Sequence, residues 1–244
     1  MCIIRIQMDA HVINVAKRTD RWEQFTAAWK DTGLNIIRED ALVPDGRTIR
    51  NVYDAVFLKH REILGAALAR GEKHCLIMED DAIPCKDWEK RFKHIRDYLN
   101  LRDDWDVFNG GMLSMRDCVH KIVRIVDEDL TTLLVSSVRG CMAQFVYFNV
   151  AAALKKMEAW EADGCPEFDG WYPHKLLCVA SVPFIAVQSD GFSDSSKDKR
   201  EWEQRFKFEE QSMLYAMREF LSDAAPASSE IPKSAVEPEP LTLT

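Results

Sequence analysis

The sequence predicts an α/β protein with a mostly parallel central sheet flanked by helices. Short apolar segments, such as 11–15, 35–38 and 75–78, alternate with segments of helical periodicity along the first part of the chain. Charged clusters follow two of these apolar segments directly. Ligands of open parallel sheets bind beyond the carboxyl ends of the strands, so both observations favour a binding site at that edge.

The individual elements follow from local patterns. Trp22, Phe25 and Trp29 recur at helical spacing after Asp20, which with Glu23 resembles a capping box. Gly71 ends the second helical pattern. The expected strands are 11–15, 35–38, 75–78, 106–108, 121–126, 130–138, 144–148 and 181–187. The expected helices begin near Asp20 and span 53–70, 87–99, 149–160 and 201–221.

Length and composition favour one folded domain over residues 1–221 of the 244-residue chain. The segment 222–244 is rich in Ala, Pro, Ser and Glu, a composition typical of a disordered tail. A formal net charge of -8 argues against a broad nucleic-acid-binding surface, because neutralising phosphates requires clustered Lys and Arg.

Compartment and membrane signals are few. No apolar run approaches the roughly 20 residues that a membrane span requires. The seven cysteines are scattered without a CxxC pair, and the start of the chain shows no secretory signal. We therefore expect a cytoplasmic protein without a transmembrane segment, in which peripheral membrane association would depend on a partner or a lipid acceptor.

The acidic triplet Glu79-Asp80-Asp81 follows the apolar segment 75–78. Three carboxylates beside a buried strand repel one another and lose solvation, and a divalent cation resolves that conflict. Residues two apart on an extended segment point the same way, so Glu79 and Asp81 are the expected ligands of Mg²⁺ or Mn²⁺, with Asp80 facing elsewhere. The alternative is that these acids cap a helix or pair with nearby Lys and Arg.

Two arginines, Arg18 and Arg21, follow the first strand and suit a nucleotide base, ribose or phosphate; a solvated helix start is the alternative. The chain has neither a GxGxxG nor a GxxxxGK[ST] loop, which argues against a Rossmann dehydrogenase and a P-loop ATPase. It also lacks a GxSxG elbow, which argues against an α/β-hydrolase.

Four segments in this order resemble the family 25 glycosyltransferases, which include lipopolysaccharide glycosyltransferases and collagen galactosyltransferases. They are the strand and loop 12–22, Lys59-His60, the acidic strand end 76–82, and 183–194 with Pro183, Gln188, Ser193 and Asp194. Lys59 stands where the family has serine, and the stretch 106–148 matches only loosely.

This resemblance implies a GT-A fold and a nucleotide-sugar donor whose diphosphate is held by Mn²⁺ or Mg²⁺ at a DxD-like motif. The metal ligands would be Glu79 and Asp81 with a third, for which Asp194 is preferred over Gln188 and His174. Asn14, Arg18, Arg21 and Asp80 would lie near the nucleotide. Lys197, Lys199 and Arg200 would form a clamp over the diphosphate, unless they are a solvated basic turn.

Family members are generally inverting enzymes, which implies a general base that takes the proton of the acceptor hydroxyl. Asp169 is the expected base, since it lies in an aromatic stretch where sugar rings pack; the alternative is that it caps a short helix. His60 and His174 are expected to be structural.

The function predicted from these observations is transfer of a sugar from a nucleoside-diphosphate sugar, by default a UDP-hexose, to a hydroxyl of a glycan, lipid or protein acceptor. One alternative is a binding module of the same fold without turnover. Another is a Mg²⁺-dependent nucleotidyltransferase, although that class is expected to carry a Gly-rich loop early in the chain.

Overall fold

The computed structural model describes residues 7–116, 121–127, 130–136, 139–192, 199–218 and 228–229. Six helices lie in these ranges: α1 (Thr19–Ala28), α2 (Val52–Ala69), α3 (Trp88–Leu99), α4 (Val150–Met157), α5 (Phe168–Lys175) and α6 (Trp202–Ala216). The strands are β1 (Met8–Asn14), β2 (Leu34–Asp40), β3 (His74–Glu79), β4 (Ala82–Pro84), β5 (Val107–Asn109), β6 (Leu113–Arg116), β7 (Lys121–Asp127), β8 (Leu130–Ser136), β9 (Arg139–Cys141), β10 (Phe145–Asn149), β11 (Cys178–Val182), β12 (Ala186–Gln188), β13 (Gly191–Phe192), β14 (Lys199–Arg200) and β15 (Ser228–Ser229).

Nine of the described strands form one sheet in the order β15-β7-β8-β11-β5-β10-β3-β1-β2. β1 pairs in parallel with both β2 and β3, and β5 pairs in parallel with β11. β10 is antiparallel to its neighbours β3 and β5, and β8 is antiparallel to β7 and β11. Six of these nine strands therefore run in one direction, against β8, β10 and β15. The predicted α/β fold with a mostly parallel central sheet is confirmed.

The helices cover both faces of this sheet. Successive residues of β3 enter different clusters: Cys75 and Ile77 pack with apolar residues of α2, α4, α5 and α6. Leu76 and Met78 pack with apolar residues of α1 and α3. Side chains of a strand alternate between the two faces, so a buried run such as 75–78 serves two cores at once.

The predicted strand 181–187 is not one strand. β11 ends at Val182, the next residue is Pro183, and β12 begins at Ala186. A proline has no backbone N–H with which to extend a ladder, so the chain leaves the large sheet there. β12 then pairs with β4, which follows the acidic turn.

The predicted capping box at α1 is also wrong. The N-cap residue is Arg18, without a side-chain hydrogen bond to the helix end. The Asp20 carboxylate instead accepts hydrogen bonds from the Arg18 guanidinium at 2.8 and 2.9 Å. The nearby arginine offers a charged partner, which is a stronger donor than a backbone amide.

The domain boundary at 221 stays a prediction. Within 222–244 the structure describes Ser228–Ser229 alone, which pair with β7 as β15. In the part of the chain that the structure describes, no helix is both long and apolar enough to cross a bilayer.

Candidate active site

The carboxyl ends of β1 and β3 lie side by side, because these strands are parallel and in register from Ala10 and Leu76 to Ile13 and Glu79. A cavity of about 410 Å³ opens at this edge. Glu79, Asp80 and Asp81 all line it, as does Asp169 at the start of α5. The predicted placement of the acidic triplet at the carboxyl edge of the sheet is therefore confirmed.

The chain turns at Asp80 and Asp81, between the end of β3 and the start of β4. The alternation expected for an extended segment stops at Glu79, so Asp80 and Asp81 do not point to opposite sides. Both reach the Arg21 guanidinium, whose Nη1 lies 2.9 Å from Asp80 Oδ1 and 3.4 Å from Asp81 Oδ2. One arginine therefore faces two neighbouring carboxylates.

Asn14, at the end of β1, fixes the position of Asp80. Its Nδ2 donates to Asp80 Oδ2 at 2.5 Å, and its Oδ1 accepts from the Arg38 guanidinium. Asn14 is fully buried. It orients Asp80 from behind the cavity rather than lining the cavity itself.

Asp81 is less completely bonded. Its Oδ2 accepts from Gln188 Nε2 at 2.7 Å. Its Oδ1 is buried and has no hydrogen-bond partner among the described residues, and the same holds for the amide oxygen of Gln188. Burial, opposed in part by Arg21, raises the pKa of Asp81 to about 6.

Asp169 lies in the first turn of α5, and the alternative that it caps this helix is not met. The N-cap residue is Glu167, and no side-chain hydrogen bond caps the helix. Burial, together with the charges of Glu167 and Asp81, raises the pKa of Asp169 to about 7. Burial and the neighbouring charges of Asp169 and Asp81 also raise the pKa of Glu79 well above its usual range.

Another part of the cavity lining is largely apolar. It is formed by β1, the segment after β2, and the start of α2, and includes Val15, Leu42, Tyr53 and Val56. Lys59 is the cation on this side, with Nζ 3.0 Å from Glu39 and 2.8 Å from Glu62. The cavity lining thus combines apolar side chains with a group of carboxylates.

Several predicted residues lie elsewhere. Arg18 pairs with Asp20 and does not line the cavity. His174 is exposed outside the lining, and His60 is buried with its Nδ1 2.9 Å from the Val56 carbonyl oxygen. Burial lowers the pKa of His60 to about 4, as expected for a structural histidine.

The remaining predicted residues lie in the segment 193–198, which is outside the described residues, or directly after it. Asp194 and Lys197 lie outside the described residues. Arg200 belongs to β14, a two-residue strand paired with β13. The predicted third metal ligand and the predicted diphosphate clamp therefore stay predictions.

Several lining residues were not predicted from the sequence, among them Glu167, Tyr53 and Trp202. The spacing Glu167-x-Asp169 is a local signal that could have suggested a second carboxylate beside the expected base. Tyr53 and Trp202 reach the cavity through the packing of α2 and α6, and their local sequence carries no such signal.

The donor set fits a hard divalent cation in its chemistry. Carboxylate oxygens of Glu79, Asp81 and Asp169 and the amide oxygen of Gln188 line one cavity, and oxygen is the ligand that Mg²⁺ and Mn²⁺ prefer. The buried oxygen of Asp81 without a partner is the atom that most needs one. The described residues contain no group of three His, Cys, Asp or Glu side chains already arranged as a metal site.

Comparisons with known proteins give distant likenesses. No protein-family model matches the chain, and no curated protein matches its sequence. Among solved structures, A197 from STIV has a TM-score of 0.42 at 13% identity, covering 80% of this chain and 93% of that one.

Two further solved structures are enzymes by their descriptions. A glycosyltransferase involved in the glycosylation of the major capsid of PBCV-1 has a TM-score of 0.36 at 10% identity, covering 64% of this chain and 66% of that one. Mannose-1-phosphate geranyltransferase from Thermus thermophilus has a TM-score of 0.34 at 12% identity, covering 72% and 73%. Likeness at this level carries no functional argument, so the function is argued from the cavity.

Proposed function

We propose that the chain is a metal-dependent glycosyltransferase of the GT-A type, which moves a sugar from a nucleoside-diphosphate sugar to an acceptor hydroxyl. The observation that carries this proposal is the crowding of Glu79, Asp81 and Asp169 in one cavity at the carboxyl edge of the sheet. Keeping these carboxylates so close costs free energy, and a cation with a bound diphosphate offsets that cost.

The mixed lining of the cavity suits the two parts of the donor. The apolar side chains of Val15, Leu42 and Tyr53 offer a surface for a nucleobase and ribose. Lys59 and Arg21 supply positive charge in the lining. The family resemblance implies a UDP-hexose donor, whose base would contact the apolar side chains and whose diphosphate would lie by the carboxylates.

Glu79 and Asp81 would hold Mn²⁺ or Mg²⁺, with Asp194 as the third ligand. Such a cation stabilises the negative charge that develops on a departing diphosphate. Arg21 holds Asp80 and Asp81 in place, and Asn14 fixes Asp80 from the opposite side. These contacts preorganise the acidic edge before a donor binds.

Asp169 would accept the proton of the acceptor hydroxyl as that oxygen attacks the sugar carbon, which gives inversion. A carboxylate with a pKa of about 7 is partly ionised near neutral pH and has a higher proton affinity than an ordinary aspartate.

Calorimetry with UDP, GDP, CMP and their sugar conjugates tests the proposal, first with Mn²⁺ and then with EDTA. We expect metal-dependent binding of one nucleotide class, weakened at least tenfold in Asp81→Ala, because the variant loses a metal ligand. Asp103→Ala, at an exposed position, is the matched control and should bind normally.

Binding of no nucleotide with or without metal would contradict the proposal. The products separate the enzyme classes, since a glycosyltransferase releases a nucleoside diphosphate and a nucleotidyltransferase releases pyrophosphate from a nucleoside triphosphate. Binding without either product, across glycan, lipid and peptide acceptors, would favour a binding module.

A further inference from the structure

A second cleft, of about 660 Å³, lies between the amino-terminal half of α6 and β6. Its walls carry Leu113 and Ser114 from β6, and Gln204, Phe208 and Glu209 from α6. Phe208 is 58% exposed although it is a large aromatic side chain. The cleft is large enough for a ligand of a few rings, since small-molecule sites occupy about 300–1,000 Å³.

The cleft adjoins the acidic cavity through two shared walls. At the start of α6, the N-cap residue Glu201 lines the cleft and the next residue, Trp202, lines the cavity. Across the sheet pairing of β6 with β9, Leu113 of the cleft lies opposite Cys141 of the cavity, and the Cys141 thiol donates to the Leu113 carbonyl oxygen at 3.7 Å.

Charged residues of the cavity and of the cleft both affect the pKa of the Cys141 thiol. Burial first, and then the charge of Asp169 in the cavity, raise the pKa of the Cys141 thiol to about 11. Two residues of the cleft make smaller contributions, in which Arg205 lowers this pKa and Glu209 raises it. A molecule in the cleft would therefore lie close to Cys141, which lines the acidic cavity together with Asp169.

The lining has the composition that carbohydrate recognition requires. An exposed ring such as Phe208 can pack against the C–H face of a sugar, while Gln204, Ser114 and Glu209 can hydrogen-bond its hydroxyls. Leu113 and Phe208 are the apolar residues of the lining, and Leu113 is buried. A lipid chain would need a more continuous apolar surface.

Charge also argues against an anionic acceptor headgroup. Among the described residues of the lining, Glu201 and Glu209 bring two negative charges and Arg205 brings one positive charge. A phosphate would meet more repulsion than attraction there, whereas a neutral sugar would not.

We propose that this cleft binds the acceptor and that the acceptor is a neutral glycan, whose reactive hydroxyl reaches Asp169 past Cys141 and Trp202. The inference rests on the proposed function for the role of acceptor, and on the cleft alone for the binding of a glycan. Phe208 is its central contact.

Saturation-transfer NMR on the full chain, with a panel of methyl hexopyranosides and neutral disaccharides, tests the proposal. We expect saturation transfer to at least one glycan, and a dissociation constant raised several-fold in Phe208→Ala, since the variant loses the ring surface on which the sugar packs. Phe208→Tyr should retain binding, because the ring face is kept. Tyr215→Ala removes an exposed aromatic side chain of the same helix outside the cleft and is the control.

Binding of no glycan in the panel would overturn the proposal, as would glycan binding that Phe208→Ala leaves unchanged. Preferential binding of phosphatidylglycerol vesicles or of a serine-rich peptide, lost in the same variant, would overturn it in favour of another acceptor class. Nucleotide affinity should be unchanged in Phe208→Ala. A wild-type chain that binds glycans but no nucleotide would refute the proposed function and leave the glycan site intact.

Discussion

Two buried aspartates, one at the amino end of a central strand and one at the carboxyl end of another, have different hydrogen-bond partners. Asp106 comes just before β5, and its Oδ2 accepts hydrogen bonds from Lys156 Nζ and, at 2.5 Å, from the Leu177 backbone N–H. Asp81 comes just after β3, where Arg21 and Gln188 address one oxygen and the other has no partner among the described residues.

The charges around the two aspartates also differ. Asp106 faces a lysine, so its charge is compensated within the chain. Asp81 shares its cavity with Glu79, Asp80 and Asp169, and Arg21 cannot neutralise them all. Burying an uncompensated charge costs free energy that folding alone does not return. Burial of an acid therefore indicates a functional site when its partners are missing, and a structural role when they are present.

The largest effect that would sharpen this contrast is expected from Asp169→Asn. An asparagine cannot accept the proton of the acceptor hydroxyl, so turnover should fall by about 10²–10⁴-fold, while affinity for the nucleotide stays within twofold. Initial rates with saturating donor, beside calorimetry of the nucleotide, measure both quantities. Glu161→Gln, at an exposed site, is the control.

The pH dependence of kcat/KM is an independent test of whether Asp169 acts as the base. Burial keeps the pKa of Asp169 above its ordinary value, so Asp169 is protonated in acid, and kcat/KM of the wild-type chain should rise with pH on the acidic side and then level off. An Asp169→Asn variant with full activity, or a profile flat from pH 5 to 9, would remove Asp169 from the chemistry.

Substitution of Asp106, at the amino end of β5, should lower the stability of the fold. Asp106→Asn keeps the size of the side chain but loses the charged bond with Lys156, so the free energy of unfolding should fall by about 1.5–3 kcal/mol. Urea denaturation measures this loss, and Asp103→Asn at an exposed site should stay within about 0.5 kcal/mol. A variant as stable as the wild-type chain would mean that the Asp106 pair is not structural.

Much of the fold could be predicted because its signals are local. The apolar run 75–78 predicts a strand buried on both faces, and the structure places it between two cores. The carboxylates after it are expected at the carboxyl end of the strand, and the structure places them there, in the lining of a cavity. Even the break of the predicted strand 181–187 has a local cause in Pro183, which the sequence displays.

Other features depend on contacts far along the chain. The turn at Asp80 and Asp81 is set by the pairing of β4 with β12, and it brings both carboxylates to Arg21. Gln188 reaches Asp81 through the same pairing. Local periodicity contains no information on which distant side chain meets which, so the partner of each charge was beyond prediction.

The smallest expected effect concerns stability at the acidic edge, again with Asp169→Asn. The pKa of Asp169 in the folded chain is about 7 and its ordinary value is 3.8, so the folded state binds more protons between these values. Wild-type stability is therefore reduced above pH 7 and recovers as the pH falls. Asparagine carries no charge, so in EDTA the variant should have a higher melting temperature than the wild-type chain at pH 8, and this advantage should vanish near pH 4.

Adding Mn²⁺ sharpens the same measurement, because a cation at the acidic edge would relieve the repulsion that the substitution removes. The gain in Tm at pH 8 should then shrink, whereas the loss in Asp106→Asn should be the same with Mn²⁺ and with EDTA. Equal responses of the two variants to pH and to Mn²⁺ would contradict the contrast between the acidic edge and the Asp106 site. Differential scanning calorimetry of the wild-type chain and both variants, at pH 4, 6 and 8, provides the comparison.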